Sequence, residues 1–105
     1  MTLYAFDVDG TLEVSEGPIK LGVLRNLIAQ GHPVYIVGNY GKLSQTTLEF
    51  PNGNLFSTKE SSLKILSERH PEQTQKIYIG DVETDKTSAE SAGWQFVFAK
   101  DFHPV

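Results

Sequence analysis

Five short apolar runs recur along the chain, at residues 3–6, 34–37, 55–57, 76–79 and 94–98, and segments of helical period separate them. Each run is too short for a buried helix, and most are rich in the aromatic and β-branched residues that strands favour. Strands that are apolar on both faces and alternate with helices predict a parallel sheet covered on both sides. Right-handed crossovers narrow this to a doubly wound α/β fold, a three-layer α/β/α sandwich around a five-stranded, Rossmann-like sheet. No repeat or linker interrupts the alternation. A length of 105 residues suffices for one domain and not for two, so residues 1–105 are expected to fold as one unit.

The helices are expected as follows. Pro18 suits the first turn of a helix in which Ile19, Val23, Leu24, Leu27 and Ile28 face the core, with Gly31 and Pro33 as stops. Residues 42–50 read as a short helix with Leu43, Thr47 and Leu48 inward, and the Pro-Asn-Gly-Asn cluster at 51–54 as a turn. The run at 55–57 is placed near a sheet edge. A helix over 60–70 turns Leu63, Leu66 and Ile65 to the core and stops at Pro71; another over 84–92 stops at Gly93. Residues 100–105 are expected to be loosely held.

Composition removes several classes of function. Cysteine is absent, which excludes disulfides, thiol nucleophiles and thiolate metal sites. No apolar run approaches the ~20 residues of a membrane span, and Asp7 interrupts the first run too early for a secretory leader. A cytoplasmic location without membrane contact is therefore expected. Nine basic residues face thirteen acidic ones, for a net charge of −4, which argues against a protein that coats nucleic acid. The acids Asp7, Asp9, Asp81 and Asp85 account for that excess, because the remaining nine acids balance the nine bases. If these four converge in space, the negative charge of the chain is one site built for a cation.

The two acidic motifs sit where such convergence is expected. In Asp7-Val8-Asp9-Gly10-Thr11-Leu12 a carboxylate leaves the first strand and a second follows two residues on, so one can act as nucleophile or ligand and the other can exchange protons. Gly10 lets the backbone turn sharply beside a ligand. Gly80-Asp81-Val82-Glu83-Thr84-Asp85 repeats the pattern after the fourth run, although Asp85 alone also suits the start of a helix. Ligands in open parallel sheets bind at the carboxyl ends of strands, where the strand order reverses. Carboxylates crowded there require a hard cation, and a set of oxygen donors without Cys or His suits Mg²⁺. Lys59, before the helix that follows the third run, can meet a phosphoryl oxygen and balance the acids, or be a solvated surface lysine.

Taken together and in this order, these motifs resemble those of the haloacid-dehalogenase-like hydrolases, Mg²⁺-dependent aspartyl phosphatases, over nearly the whole chain. The resemblance implies a phosphoric monoester hydrolase in which Asp7 forms an aspartyl-phosphate and Asp9 protonates the leaving oxygen and then activates water. It implies Mg²⁺ held by Asp7, the Asp9 carbonyl, Asp81 and Asp85, with Lys59 neutralising the phosphoryl group. The second family motif ordinarily ends in Ser or Thr. Here Gly38-Asn39 stands in its place, so the backbone N–H groups of Gly38 and Asn39, or the Asn39 amide, are expected to bind the phosphoryl group. About 23 residues from Thr11 to Val34 and about 20 from Asn39 to Lys59 leave no room for a cap domain, so the member is a minimal, capless one. An open cleft implies a bulky phosphorylated substrate, with nucleic acid entering only as a terminal phosphate, or a second subunit as cover. Residues 13–17 are the only local flap. The alternative is a non-catalytic relative that binds a phosphorylated ligand or a protein partner. A receiver domain is disfavoured because its acceptor aspartate would follow the third strand, where this chain has Ser57-Thr58.

The remaining polar and aromatic residues are assigned structural roles. His32, His70 and His103 are expected at the surface or at caps, His70 at a helix C-terminus. Trp94 is expected in the core or at an edge, Glu83 in solvent, and Tyr40 beside the cleft.

Overall fold

The computed structural model describes residues 1–103, and all side chains among them except those of residues 44–48. Four strands, β1 (Thr2–Phe6), β2 (Val34–Ile36), β3 (Gln75–Gly80) and β4 (Gln95–Phe98), form one parallel sheet in the order β2-β1-β3-β4. Phe6 of β1 lies opposite Ile36 on one side and Ile79 on the other. The helices are α1 (Leu21–Ala29), α2 (Lys59–Arg69) and α3 (Glu83–Ser91). Strand side chains alternate between two apolar clusters, as the period of two requires. Phe6, Ile36 and Ile79 pack with Leu21, Leu24 and Leu27 of α1. Leu3, Ala5 and Tyr78 pack with Leu63 and Leu66 of α2, Ala89 of α3 and Trp94. The Trp94 indole N–H donates to the Leu63 carbonyl at 3.1 Å and to Ser67 Oγ at 2.9 Å, so its polar edge is satisfied inside the core.

Among the described residues the sheet has four strands, not five. Residues 55–57 form no strand, and Phe56 there is exposed. The chain meets the edge of β2 earlier, at a single bridge between Ile36 and Asn52. Ile36 N–H donates to the Pro51 carbonyl at 3.0 Å and Gly53 N–H to the Ile36 carbonyl at 2.7 Å. Beyond this the side chain of Asn54 substitutes for a strand. Its Nδ2 donates to the Gly38 carbonyl at 2.9 Å and its Oδ1 accepts from Gly38 N–H at 3.0 Å. One side-chain amide thus satisfies both backbone groups that a fifth strand would have paired.

Three other expectations change. Pro18 does not open α1, because Ile19 bridges to Leu12, its N–H donating to the Thr11 carbonyl at 2.9 Å. The helix begins at Leu21, whose N–H donates to Glu13 Oε2 at 2.6 Å, and Ile28 lies exposed. Residues Tyr40–Glu49 form a 3₁₀ helix with Leu43 buried; the expected inward side chains of Thr47 and Leu48 lie outside the described residues. The C-terminal segment is anchored as far as Phe102, whose ring stands edge-on to Phe6 at 5.7 Å and Tyr4 at 6.0 Å; residues 104 and 105 are outside the description.

The histidines hold structural positions: His32 Nδ1 accepts from Thr2 N–H at 3.1 Å, His70 closes α2 with Nε2 2.6 Å from the Tyr35 hydroxyl, and His103 is exposed. Glu83 is exposed. No helix among the described residues is long and apolar enough to cross a membrane.

Candidate active site

From β1 the chain steps outward to β2 and then returns past β1 to β3, so the strand order reverses between β1 and β3. The carboxyl ends of these two neighbours carry the acidic motifs. Asp7 leaves β1 with its N–H donating to the Ile79 carbonyl of β3 at 2.9 Å. Asp81 follows Gly80 directly, and Asp85 lies in the first turn of α3. Lys59 is the first residue of α2, set there by Thr58, whose hydroxyl accepts from Ser61 N–H at 3.1 Å as an N-cap.

Asp7, Asp81 and Asp85 each bring a carboxylate oxygen within 4.8 Å of the other two. Lys59 Nζ lies 2.6 Å from Asp85 Oδ1 and 3.0 Å from Asp7 Oδ1, bridging the two buried acids. The Thr11 hydroxyl donates to Asp7 Oδ2 at 3.3 Å, and Asp81 N–H to Asp85 Oδ2 at 3.3 Å. Glycine makes this crowding feasible. A Cβ at Gly10 would stand 2.0 Å from Asp81 Oδ2, one at Gly38 2.5 Å from Asp7 Oδ1, and one at Gly80 2.6 Å from Asp85 Oδ2. Gly10 also has φ +70°, a left-handed conformation that other residues adopt at a cost.

Asp7 is 4% exposed and Asp85 2%. Burial pushes the Asp7 carboxyl up from 3.8 to about 6, with Lys59 pulling against that rise and the charge of Asp85 adding to it. For Lys59, burial acts to lower the pKa, but its hydrogen bond to Asp85 and the charge of Asp7 prevail and raise it. The ammonium is therefore permanent at neutral pH. Three acids against one lysine leave the cluster negative once Asp7 ionises, which favours a bound cation.

Asp9 lines the same cleft, of about 390 Å³, together with Gly38, Asn39, Val82 and Thr84, but its carboxylate stands outside the three-acid group. It is exposed. Lys42 at 2.7 Å, the Ser15 hydroxyl at 2.7 Å and the Asn39 side chain hold its carboxyl below the usual range. The 13–17 segment is tied to the same motif, since Gly10 N–H donates to the Ser15 carbonyl at 2.9 Å.

Asp7, Asp9, Gly38, Asn39, Lys59, Asp81 and Asp85 thus meet at this edge, with changed duties at the second motif. The Gly38 N–H is engaged by Asn54 and the Asn39 amide by Asp9, so neither stands ready for a phosphoryl group; among the described residues, the backbone N–H of Asn39 has no protein partner. Tyr40 lies outside the cleft lining, and its hydroxyl donates to the Phe50 carbonyl at 2.6 Å. The sequence reading missed Asn54, Lys42 and Ser15. Only Asn54 carried a signal, as the last residue of a turn cluster directly before a run too short to be a firm strand. Asn54→Ala is expected to lower stability by about 1–3 kcal/mol, because it leaves the Gly38 N–H without its partner, while the Gly38 carbonyl keeps the bond from Tyr40 N–H at 2.8 Å. Chemical denaturation measures this; an unchanged midpoint would show that water replaces the amide without loss.

Comparison with family models, with curated proteins and with solved structures finds no match to this chain.

Proposed function

We propose that the protein is a Mg²⁺-dependent phosphomonoesterase, built as a minimal, capless haloacid-dehalogenase-like hydrolase with α1 on one face of the sheet and α2 and α3 on the other. The observation that carries this reading is the meeting of Asp7, Asp81, Asp85 and Lys59 at the switch point between β1 and β3. The donor set fits the ion. It offers hard carboxylate oxygens only, three of them within 4.8 Å of one another, the donor chemistry that Mg²⁺ would take. Asp7, Asp81 and Asp85 would hold Mg²⁺, with the Asp9 carbonyl as the further ligand the family resemblance implies. When bound, the ion offsets the repulsion between a phosphate dianion and the carboxylates.

The residues then divide the work. Asp7 attacks phosphorus as its ester P–O bond breaks, forming an aspartyl-phosphate. Asp9 gives its proton to the departing oxygen, then takes one from the water that cleaves the new acyl-phosphate, releasing phosphate and restoring Asp7. Lys59 keeps its charge throughout and faces the phosphoryl oxygens. In the resting state Asp9 is a carboxylate held by Lys42 and Ser15, so before it can donate it must leave Lys42 and take up a proton from solvent, which the water-activation step later replaces. With no cap over the cleft, water is excluded by a bulky phosphorylated substrate or by a second subunit.

A second reading has its own observation in support. The donors at Gly38 and Asn39 are largely occupied within the protein, which suits a relative that binds a phosphorylated ligand or a protein partner without turnover. Incubation with Mg²⁺ and a panel of aryl, sugar and protein phosphates separates the two. The enzyme reading expects phosphate release that a chelator stops, and a rise in melting temperature with beryllofluoride only when Mg²⁺ is present. If the entire panel survives intact and beryllofluoride gives no shift, catalysis is ruled out.

A further inference from the structure

A second cleft, of about 280 Å³, opens on the other side of Asp81 and is lined by Gly10, Pro18, Asp81, Phe98, Ala99 and Lys100. Its volume is below the about 300–1,000 Å³ of pockets that enclose whole drug-sized molecules, so it takes one ring or a short chain. Its chemistry differs from that of the acid cluster. Phe98, Pro18 and Ala99 supply an apolar wall where β4 ends. Lys100 Nζ lies 5.8 Å from the centre of the Phe98 ring and, among the described residues, makes no ion pair, although a carboxylate lines the same cleft. Arg25, Lys42, Lys59 and Lys64 each hold a carboxylate, whereas Lys20, Arg69, Lys76 and Lys86, like Lys100, form no ion pair among the described residues, so it is the position of Lys100 in the cleft that matters. Lys100 instead stands over an aromatic face, a position in which a cation remains available to an incoming anion.

The two clefts meet at Asp81, which lines both. Gly10 is part of that junction, since any side chain there would collide with the Asp81 carboxylate. We infer that the Phe98–Lys100 cleft receives the leaving group of the substrate, and that the preferred phosphate esters carry an apolar or aromatic body ending in a second anionic group. The inference rests on the phosphatase reading and adds the class of ester. The apolar wall takes the body, Lys100 meets the second anion, and the phosphate lies over Asp7 on the far side of Asp81.

Paired non-hydrolysable probes test this without turnover. Phenylphosphonate and 4-carboxyphenylphosphonate are titrated into the wild-type chain with Mg²⁺, and into Lys100→Gln and Lys100→Arg, with heats of binding as the readout. Lys100 lies outside the three-acid cluster, so both variants keep the phosphoryl site. The expected result is that wild type and Lys100→Arg bind the carboxylated probe about fivefold more tightly, as one partly exposed ion pair provides, and that Lys100→Gln binds both equally. Equal affinities in the wild-type chain, or a preference that survives Lys100→Gln, would overturn the inference and leave the phosphatase reading intact. If neither phosphonate binds in any variant, both fall together.

Discussion

Asp7→Asn is expected to abolish turnover and at the same time to make the metal-free protein more stable at pH 7.5. The loss of activity follows from the proposed chemistry. An amide cannot form the aspartyl-phosphate, and removing a covalent nucleophile costs at least about a thousandfold in rate. The gain in stability follows from the burial of Asp7. Its carboxyl is raised from 3.8 to about 6 in the folded chain, first by burial and then by Asp85, against the pull of Lys59. The folded state therefore holds this proton more tightly than the unfolded state. The penalty for ionising Asp7 is absent below about pH 4, grows as pH rises, and is complete above about pH 6. At ~1.4 kcal/mol per pH unit it approaches about 3 kcal/mol. Asn escapes that penalty but gives Lys59 a weaker partner, so a net gain of about 1–2 kcal/mol is expected, roughly 5–15 °C in a domain of this size. Thermal denaturation of both proteins in a chelator, at pH 7.5 and pH 4, measures it. The difference should shrink towards pH 4, where wild-type Asp7 is protonated. If Asn is the less stable at pH 7.5, Asp7 is above all the structural partner of Lys59.

What the sequence made legible was the part governed by local pattern. The runs at 3–6, 34–37, 76–79 and 94–98 are long enough, and apolar enough on both faces, to be strands, and each matches an observed strand to within one residue at either end. The acids that follow two of them had to emerge at one sheet edge, because parallel strands share a carboxyl end and β1 and β3 are neighbours. The errors arise where a side chain or a distant carbonyl competes with local preference. Pro18 and Ile19 look like a helix start until Leu12 offers a strand partner. Residues 55–57 look like a strand until the Asn54 amide has satisfied Gly38 from the flank. Gly38 itself looked like a missing hydroxyl. In the fold a Cβ at this position would lie 2.5 Å from Asp7 Oδ1 and 3.0 Å from Val8 N, so the glycine makes room for the acid. No local pattern records that contact, because it joins residues thirty-one apart in the chain.

Lys59→Met is expected to have the largest effect on stability. Methionine keeps much of the lysine stem and removes the charge, leaving Asp7 and Asp85 buried beside each other with the cation that bridged them gone. Breaking a buried ion pair from one side costs about 3–5 kcal/mol; because the Lys59 side chain is 33% exposed, we expect about 2–3 kcal/mol at pH 7.5 in a chelator, or roughly 10–20 °C. The sign of the pH dependence is fixed by the acids. Acidification protonates Asp7, whose pKa is already about 6 and would rise further without the lysine. The part of the defect that comes from Asp7 should therefore shrink as pH falls towards about 6, where wild-type Asp7 also takes up its proton, instead of growing. Adding Asn at position 7 should also rescue the protein, so that Lys59→Met/Asp7→Asn melts above Lys59→Met alone. That is the non-additivity expected of groups in direct contact. Mg²⁺ should offset the loss as well, stabilising the variant by about 2.7 kcal/mol at a hundred times its dissociation constant, because the ion supplies the positive charge the variant lacks. A variant that matches wild type in chelator from pH 4 to 8, and gains nothing from Mg²⁺, would mean that the two carboxylates do not depend on Lys59. The cation requirement inferred for the site would then lose its physical basis.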